Sequence, residues 1–223
     1  MSSKLSFEND GAVRLERAAL PILPSLVELL ADISANRAGV RIYDAPELAR
    51  LLSCDSSLAA TLAPCIGPMH RPVRAILFDK SERANWALGW HQDRTIAVRE
   101  KCEVAGFGPW SIKAGVHHVE PPFEMIEKMV TVRIHLDDVS SGNAPLMIVA
   151  GSHRFGKLRD NEIEKVVMQN PVFECLALAG DVWVYSTPII HASAASETLT
   201  RRRVLQVDYA AFELPEGLAW QGI

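Results

Sequence analysis

Residues 72–98 read PVRAILFDKSERANWALGWHQDRTIAV. The apolar runs 73–78, 86–90 and 96–98 are too short for helices and are separated by polar, turn-forming residues, a texture that predicts strands. Toward the C-terminus the pattern recurs at 130–136, 146–149, 173–178, 182–185 and 204–209. About eight strands with irregular links predict a mainly β fold, a jelly roll or double-stranded β-helix, with its core over about residues 70–210. Between 100 and 128 the periodicity fades. Gly106-Phe107-Gly108-Pro109-Trp110 and Glu120-Pro121-Pro122 predict a long loop there, a candidate lid whose Phe107, Trp110 and Phe123 either line a cavity or pin the loop to the core.

Toward the N-terminus the texture is helical. Leu26, Leu29, Leu30 and Ile33 repeat at helix spacing, and Asp44 with Glu47 has the spacing of a capping box before Leu48, Leu51 and Leu52. Asp55 is placed to cap 56–63, which Pro64, Gly67 and Pro68 should end. These helices, within about residues 1–68, are expected to buttress the sheet. A chain of 223 residues, 48% hydrophobic, has material for one core, so residues 1–223 are expected to form a single domain. A formal net charge of −4 gives no basic footprint for nucleic acid, and no apolar run nears the ~18 residues of a membrane span. Cys54, Cys65, Cys102 and Cys175 form no C-x-x-C pair, and MSSKLSFENDG lacks an apolar leader run. Reduced thiols and a cytoplasmic location are the expectation, with a small molecule as partner and the oligomeric state open.

The chemistry begins at Trp90-His91-Gln92-Asp93. On a strand, residues i and i+2 share a face with Cα atoms roughly 7 Å apart, so one metal can take both His91 and Asp93. A second imidazole from another strand would complete a facial triad, the ligand set that leaves positions open on Fe(II) for a chelating keto acid and O₂. His191 qualifies, because Gly180-Asp181-Val182-Trp183-Val184-Tyr185 reads as a strand running into Pro188-Ile189-Ile190-His191. A keto acid with a second carboxylate needs a fixed cation, and Arg202 at the head of the last strand is the candidate anchor. Alternation would then send Arg201 and Arg203 to the opposite face; with the other parity they replace it. His135-Leu136-Asp137 has the same H-x-D spacing and competes as the metal pair, although the turn-rich stretch after it favours a backbone-capping role for Asp137 or Asp138.

Taken in order, Ala75-Ile76-Leu77-Phe78-Asp79-Lys80, Trp90-His91-Gln92-Asp93, Gly142-Asn143-Ala144-Pro145-Leu146, Gly151-Ser152-His153-Arg154, Gly180-Asp181-Val182 and His191-Ala192-Ser193 through Arg202 resemble the phytanoyl-CoA dioxygenase family over roughly residues 70–210. The resemblance implies a double-stranded β-helix, Fe(II), 2-oxoglutarate and O₂, with His91, Asp93 and His191 as ligands and Arg202 as cosubstrate anchor. It favours His91 over His135. It also implies that Ser193 and Gln92 touch the cosubstrate and that His153 is structural. His70, His117 and His118 have no place in the family pattern, and His117 and His118 with Glu120 read as a solvated or satisfied loop group. The expected reaction is hydroxylation of a small metabolite with release of succinate and CO₂, since Asp93 fills the position that halogenating relatives leave open. Desaturation, cyclisation and epimerisation share its starting point. A cupin-like metal isomerase or a non-catalytic metal sensor would keep the barrel and metal but need no Arg202.

Overall fold

The computed structural model describes residues 5–33, 39–67, 70–82, 84–198 and 200–223. A six-stranded antiparallel sheet carries, in spatial order, β1 (Ala12–Leu15), β11 (Val182–Ser186), β8 (Val130–His135), β13 (Arg202–Ala210), β3 (Arg71–Lys80) and β2 (Val40–Ile42). A four-stranded sheet carries β10 (Val172–Cys175), β9 (Leu146–Val149), β12 (His191–Ser193) and β4 (Leu88–His91), and a three-stranded one β5 (Ile96–Val98), β7 (Val116–Val119) and β6 (Trp110–Lys113). Leu146 and Ile148 of the smaller sheet pack with Ala12, Trp183 and Tyr185 of the large one, so the two stack face to face as the expected jelly roll.

Alternation divides the large sheet. One face sends Ala75, Leu77, Val132, Ile134, Leu205 and Val207 against the N-terminal helices α2 (Leu23–Leu29), α3 (Pro46–Leu52) and α4 (Ser57–Ile66), which bury Leu26, Leu48, Leu52, Leu58, Leu62 and Ile66 on it. A four-residue helix, α1 (Phe7–Asp10), precedes β1. The helices therefore buttress the sheet as expected, but their ends differ from the sequence reading. α3 starts at Pro46 with no side-chain cap, and Asp44 sits in the left-handed region (φ 55°) instead of closing a box with Glu47. Ser56, not Asp55, caps α4 by accepting from the Ala59 N–H at 3.3 Å. α4 also runs past Pro64 to Ile66, because Leu58, Leu62 and Ile66 at i, i+4 and i+8 all gain burial; Gly67 then ends it, and Pro68 lies outside the described residues.

The stretch 100–128 departs most from expectation. It contains β6, β7 and the short helix α5 (Phe123–Glu127), with Lys113 paired to Val116 across the Ala114-Gly115 turn. Both turn residues have positive φ, the twist-matching geometry of a two-residue hairpin. Phe107, Trp110 and Phe123 pack on a core of Ile96, Val98, Val119 and Ile126, so they pin the segment down and do not line a cavity. A further helix, α6 (Asp160–Gln169), follows the second sheet's turn. No helix among the described residues is long and apolar enough to cross a membrane.

Candidate metal centre

The second face of the large sheet turns Arg74, Ile76, Phe78 and Lys80 of β3 and Arg202 and Gln206 of β13 into a cavity of about 540 Å³ that the smaller sheet closes. His91 and His191 stand directly opposite one another in the β4–β12 pairing, with ring centroids 4.3 Å apart. Each Nδ1 lies against the carbonyl two residues earlier, Gly89 at 2.7 Å for His91 and Ile189 at 2.8 Å for His191. A carbonyl only accepts, so each Nδ1 is the donor and each Nε2 is the nitrogen left to face a metal. Burial, followed by His91, lowers the His191 pKa to about 4 and keeps that ring neutral.

Asp93 completes the group, with ligand atoms of all three residues within 4.8 Å of one another. Burial alone would raise its carboxyl, but Arg74, 3.8 Å away, and the two imidazoles outweigh burial and hold it below the usual range. Two imidazole nitrogens and an ionised carboxylate on one side of an open cavity suit a divalent, borderline cation such as Fe(II) and leave its other positions free for small ligands.

The same cavity holds a cationic pole. Arg202 is 2% exposed, its Nη1 donates to the Ala144 carbonyl, and its Nε has no partner. Lys80, 1% exposed, donates to Ser193 Oγ at 3.2 Å and to the Ala194 carbonyl, and Arg133 completes the group. No carboxylate lies within 4.0 Å of any of the three among the described residues, which include every Asp and Glu of the chain. Burial, then Arg133, pulls the Arg202 guanidinium down to about 9, while burial, then Arg202 and Arg133, pulls Lys80 to about 7. Buried cations left unpaired are costly, and an incoming carboxylate relieves that cost.

The family profile for phytanoyl-CoA dioxygenase matches residues 35–204, a span that includes His91, Asp93, His191 and Arg202. The chain belongs to the phytanoyl-CoA dioxygenase family. Among curated proteins none matches it. Among solved structures, EctD from S. alaskensis with 2-oxoglutarate and 5-hydroxyectoine superposes with a TM-score of 0.65 at 17% identity, covering 95% of this chain and 78% of that one. The α-ketoglutarate-dependent epimerase SnoN from nogalamycin biosynthesis gives 0.65 at 18%, over 96% and 85%. HygX from Streptomyces hygroscopicus with nickel and 2-oxoglutarate bound gives 0.61 at 16%, over 93% and 85%. Identities this low establish a shared fold.

Within this phytanoyl-CoA dioxygenase family member the other expected residues divide. Ser193 lines the cavity beside Lys80 and bonds the Ala144 carbonyl at 3.2 Å. Gln92 reaches the cavity wall, but its carboxamide is committed: Nε2 donates to the Gly156 and Pro188 carbonyls, both at 2.9 Å, and Oε1 accepts from the Leu158 N–H at 3.0 Å. It braces the turn between the two ligand segments, with no amide hydrogen left for a cosubstrate. Arg201 and Arg203 point outward onto Asp79 and Asp137, so the parity is the one that turns Arg202 inward. The competing H-x-D pair separates, with His135 buried in β8 and Asp137 bonded to the Arg203 N–H, Nε and Nη2.

His153 packs against Gly11, outside the cavity, while its neighbour Ser152 accepts from the Ile190 N–H at 2.9 Å and so fixes the strand that bears His191. His118 is buried in β7 with Nδ1 on the Val116 carbonyl, and Glu120 pairs with Lys157. Arg94 lines the wall but is held by the Leu158 carbonyl and Asp160. Arg74, Lys80 and Arg133 carry much of the cavity's charge and were not singled out from sequence for that role. Arg74 and Arg133 lie inside apolar strands and Lys80 at the end of one, and only cross-strand register brings them together.

Proposed function

We propose that this chain is an Fe(II)- and 2-oxoglutarate-dependent oxygenase that hydroxylates a small metabolite with release of succinate and CO₂. His91, Asp93 and His191 are assigned as iron ligands. Arg202, helped by Ser193 and Lys80, is assigned to the far carboxylate of 2-oxoglutarate. One observation carries the reading: a converging two-histidine, one-carboxylate group shares a cavity with a buried guanidinium that has no acid of its own. An isomerase or a metal sensor on the same barrel would need the first feature but not the second, and EctD and HygX, which share the fold, hold 2-oxoglutarate. We also read residues 1–223 as one domain, since the N-terminal helices and the large sheet share one core.

When bound, iron would let O₂ act as the oxidant at the expense of the keto acid, one oxygen atom going into a substrate C–H bond to give C–OH and the other into succinate as CO₂ leaves. The residues of the chain provide placement. The Gly89 and Ile189 carbonyls aim the two imidazoles, and Arg74 keeps Asp93 ionised. Ala144, in the left-handed region at φ 50°, presents one carbonyl to both Arg202 and Ser193, which fixes the carboxylate anchor. Ile76, Phe78, Trp86 and Leu146 line the space between and thin out water, so placement errors near the ~1 Å that costs ~100-fold are resisted. Purified protein given Fe(II), 2-oxoglutarate, O₂ and a metabolite panel should release succinate and add one oxygen atom to a substrate, with Asp93→Ala inactive. Succinate formation that persists in Asp93→Ala, or a product lacking added oxygen, would refute the assignment.

A further inference from the structure

Two more cations of the cavity remain without a counter-charge once the cosubstrate's carboxylate is assigned to Arg202. Arg41 lies on the edge strand β2, directly across from Ile76, and so faces the cavity with it. Lys113, the last residue of β6 before the hairpin turn, reaches the same wall from the three-stranded sheet. No carboxylate comes within 4.0 Å of either, and all the acids of the chain are among the described residues. Asp93 is the one acid on the wall, and Arg74 already leans on it.

Arg41 is also held in place. His118 gives its Nδ1 hydrogen to the Val116 carbonyl, so its Nε2 is free to accept from Arg41 Nε, at a long 3.5 Å. The two Nη groups of Arg41 have no acceptor among the described residues. Burial and then Arg74 pull the Arg41 pKa down, and burial, Arg74 and Arg41 do the same to Lys113, outweighing the opposing pull of Asp93. The group is thus one of mutually repelling cations turned toward a cavity. With a divalent ion on the triad and a dianionic keto acid in place, the wall still holds excess positive charge, although the chain as a whole is negative. Neutral substrates would leave that charge unmatched.

We infer that the substrate of this enzyme carries an oxyanion, a carboxylate or a phosphate, seated on Arg41 and Lys113. The inference rests on the oxygenase reading above. Arginine's fork meets either group with two parallel hydrogen bonds, and a flexible lysine at the rim adds a point charge. The site is distinct from the Arg202 pole. Lys80, which belongs to that pole, pairs with Arg202 in the β3–β13 ladder, whereas Arg41 pairs four residues earlier along β3.

The test uses protein loaded with Fe(II) and saturating 2-oxoglutarate without O₂, so that the Arg202 pole is filled. Calorimetric titration then compares phenylacetate with phenylacetamide, hexanoate with hexanamide, and phenyl phosphate as the second source of the same charge. Acids are expected to bind roughly tenfold or more tightly than their amides, as charge-assisted hydrogen bonds to a fixed guanidinium should give. Arg41→Gln and Lys113→Gln should each remove most of that preference, and Arg41→Lys should restore part of it. The ranking of phenyl phosphate against phenylacetate identifies which oxyanion fits. Equal binding of acid and amide in both pairs, binding of no anion, or a preference that survives both glutamine substitutions overturns the inference. Failure of 2-oxoglutarate to bind in the loading step appears before any probe is added, and overturns the oxygenase reading and this inference with it.

Discussion

Arg74 and Asp208 form a buried ion pair across β3 and β13, Nε to Oδ2 at 2.5 Å, and the same guanidinium reaches Asp93 at 3.8 Å. Thr131 adds a 3.1 Å bond to Asp208 from β8. One cation thus serves two acids, the first structural and the second in the candidate metal centre. Arg74→Met would strand both carboxylates, and breaking a buried pair costs about 3–5 kcal/mol. A large fall in the urea midpoint is expected, together with iron affinity weakened about 10–100-fold, the usual effect of losing a residue behind a metal ligand. An unchanged midpoint would show that the pair carries no stability.

The inward parity of the last strand makes Arg202 and Arg201 a matched comparison. Arg202→Met should weaken 2-oxoglutarate binding by at least ~30-fold, since truncating one partner of a buried charge pair costs about 2–5 kcal/mol or more. Iron binding should be largely spared. Arg201→Met, which strands the buried Asp79 on the other face and so should cost stability, is expected to leave the cosubstrate affinity of the folded protein unchanged. The opposite ranking in calorimetry would assign the anchor to the wrong face.

Lys80 gives the cavity a pH dependence. Its pKa of about 7 lies below the ordinary lysine value, and a bound carboxylate favours the charged ammonium and raises it again. Binding of 2-oxoglutarate above pH 7 should therefore take up a proton, and affinity should decline as pH rises through 7 and beyond. In the ligand-free protein the sign is reversed. The unfolded chain holds the Lys80 proton more tightly than the folded one, so this residue contributes stability as pH rises from about 7 toward ~10.4. Calorimetry in buffers of different ionisation heat measures the proton uptake, and Lys80→Met should abolish it.

Gln92 separates bracing from ligand contact. In Gln92→Leu the Gly156 and Pro188 carbonyls and the Leu158 N–H lose their partner, at about 1–3 kcal/mol for each group left unsatisfied. Thermal unfolding should come at a lower temperature, while the folded, metal-loaded variant binds 2-oxoglutarate much as the parent does. Intact stability with a selective loss of cosubstrate affinity would return Gln92 to direct contact.

Much of this architecture is legible in the chain because alternation is a strong local signal. The runs at 73–78, 130–136 and 204–209 are strands, and a period of two puts Arg202 on the face opposite Arg201 and Arg203, although which face meets the cavity is decided only in the structure. His91 and Asp93 could be paired from spacing alone, but nothing in spacing separated them from His135 and Asp137. That choice is made in three dimensions, where Arg203 occupies Asp137. Features set by register stayed hidden. β12 is three residues long, too brief to carry a pattern, yet it holds His191 opposite His91. The β6–β7 hairpin turns on Ala114-Gly115 and not on the Asn-Gly that would have marked it. Lys80 and Arg133 are 53 positions apart, and each resembles a stray charge in an apolar strand until β13 aligns them. The start of α3 departs from the sequence reading for a local reason, since Pro46 in its first turn opens the helix without a side-chain cap from Asp44.

Equilibrium binding of 2-oxoglutarate to the purified protein, with and without Fe(II) and in the absence of O₂, tests the central claim most directly. The arrangement of His91, Asp93, His191 and Arg202 predicts tight binding that depends on the metal and is lost in His191→Ala. Binding of equal strength without iron, or none with it, would contradict the account.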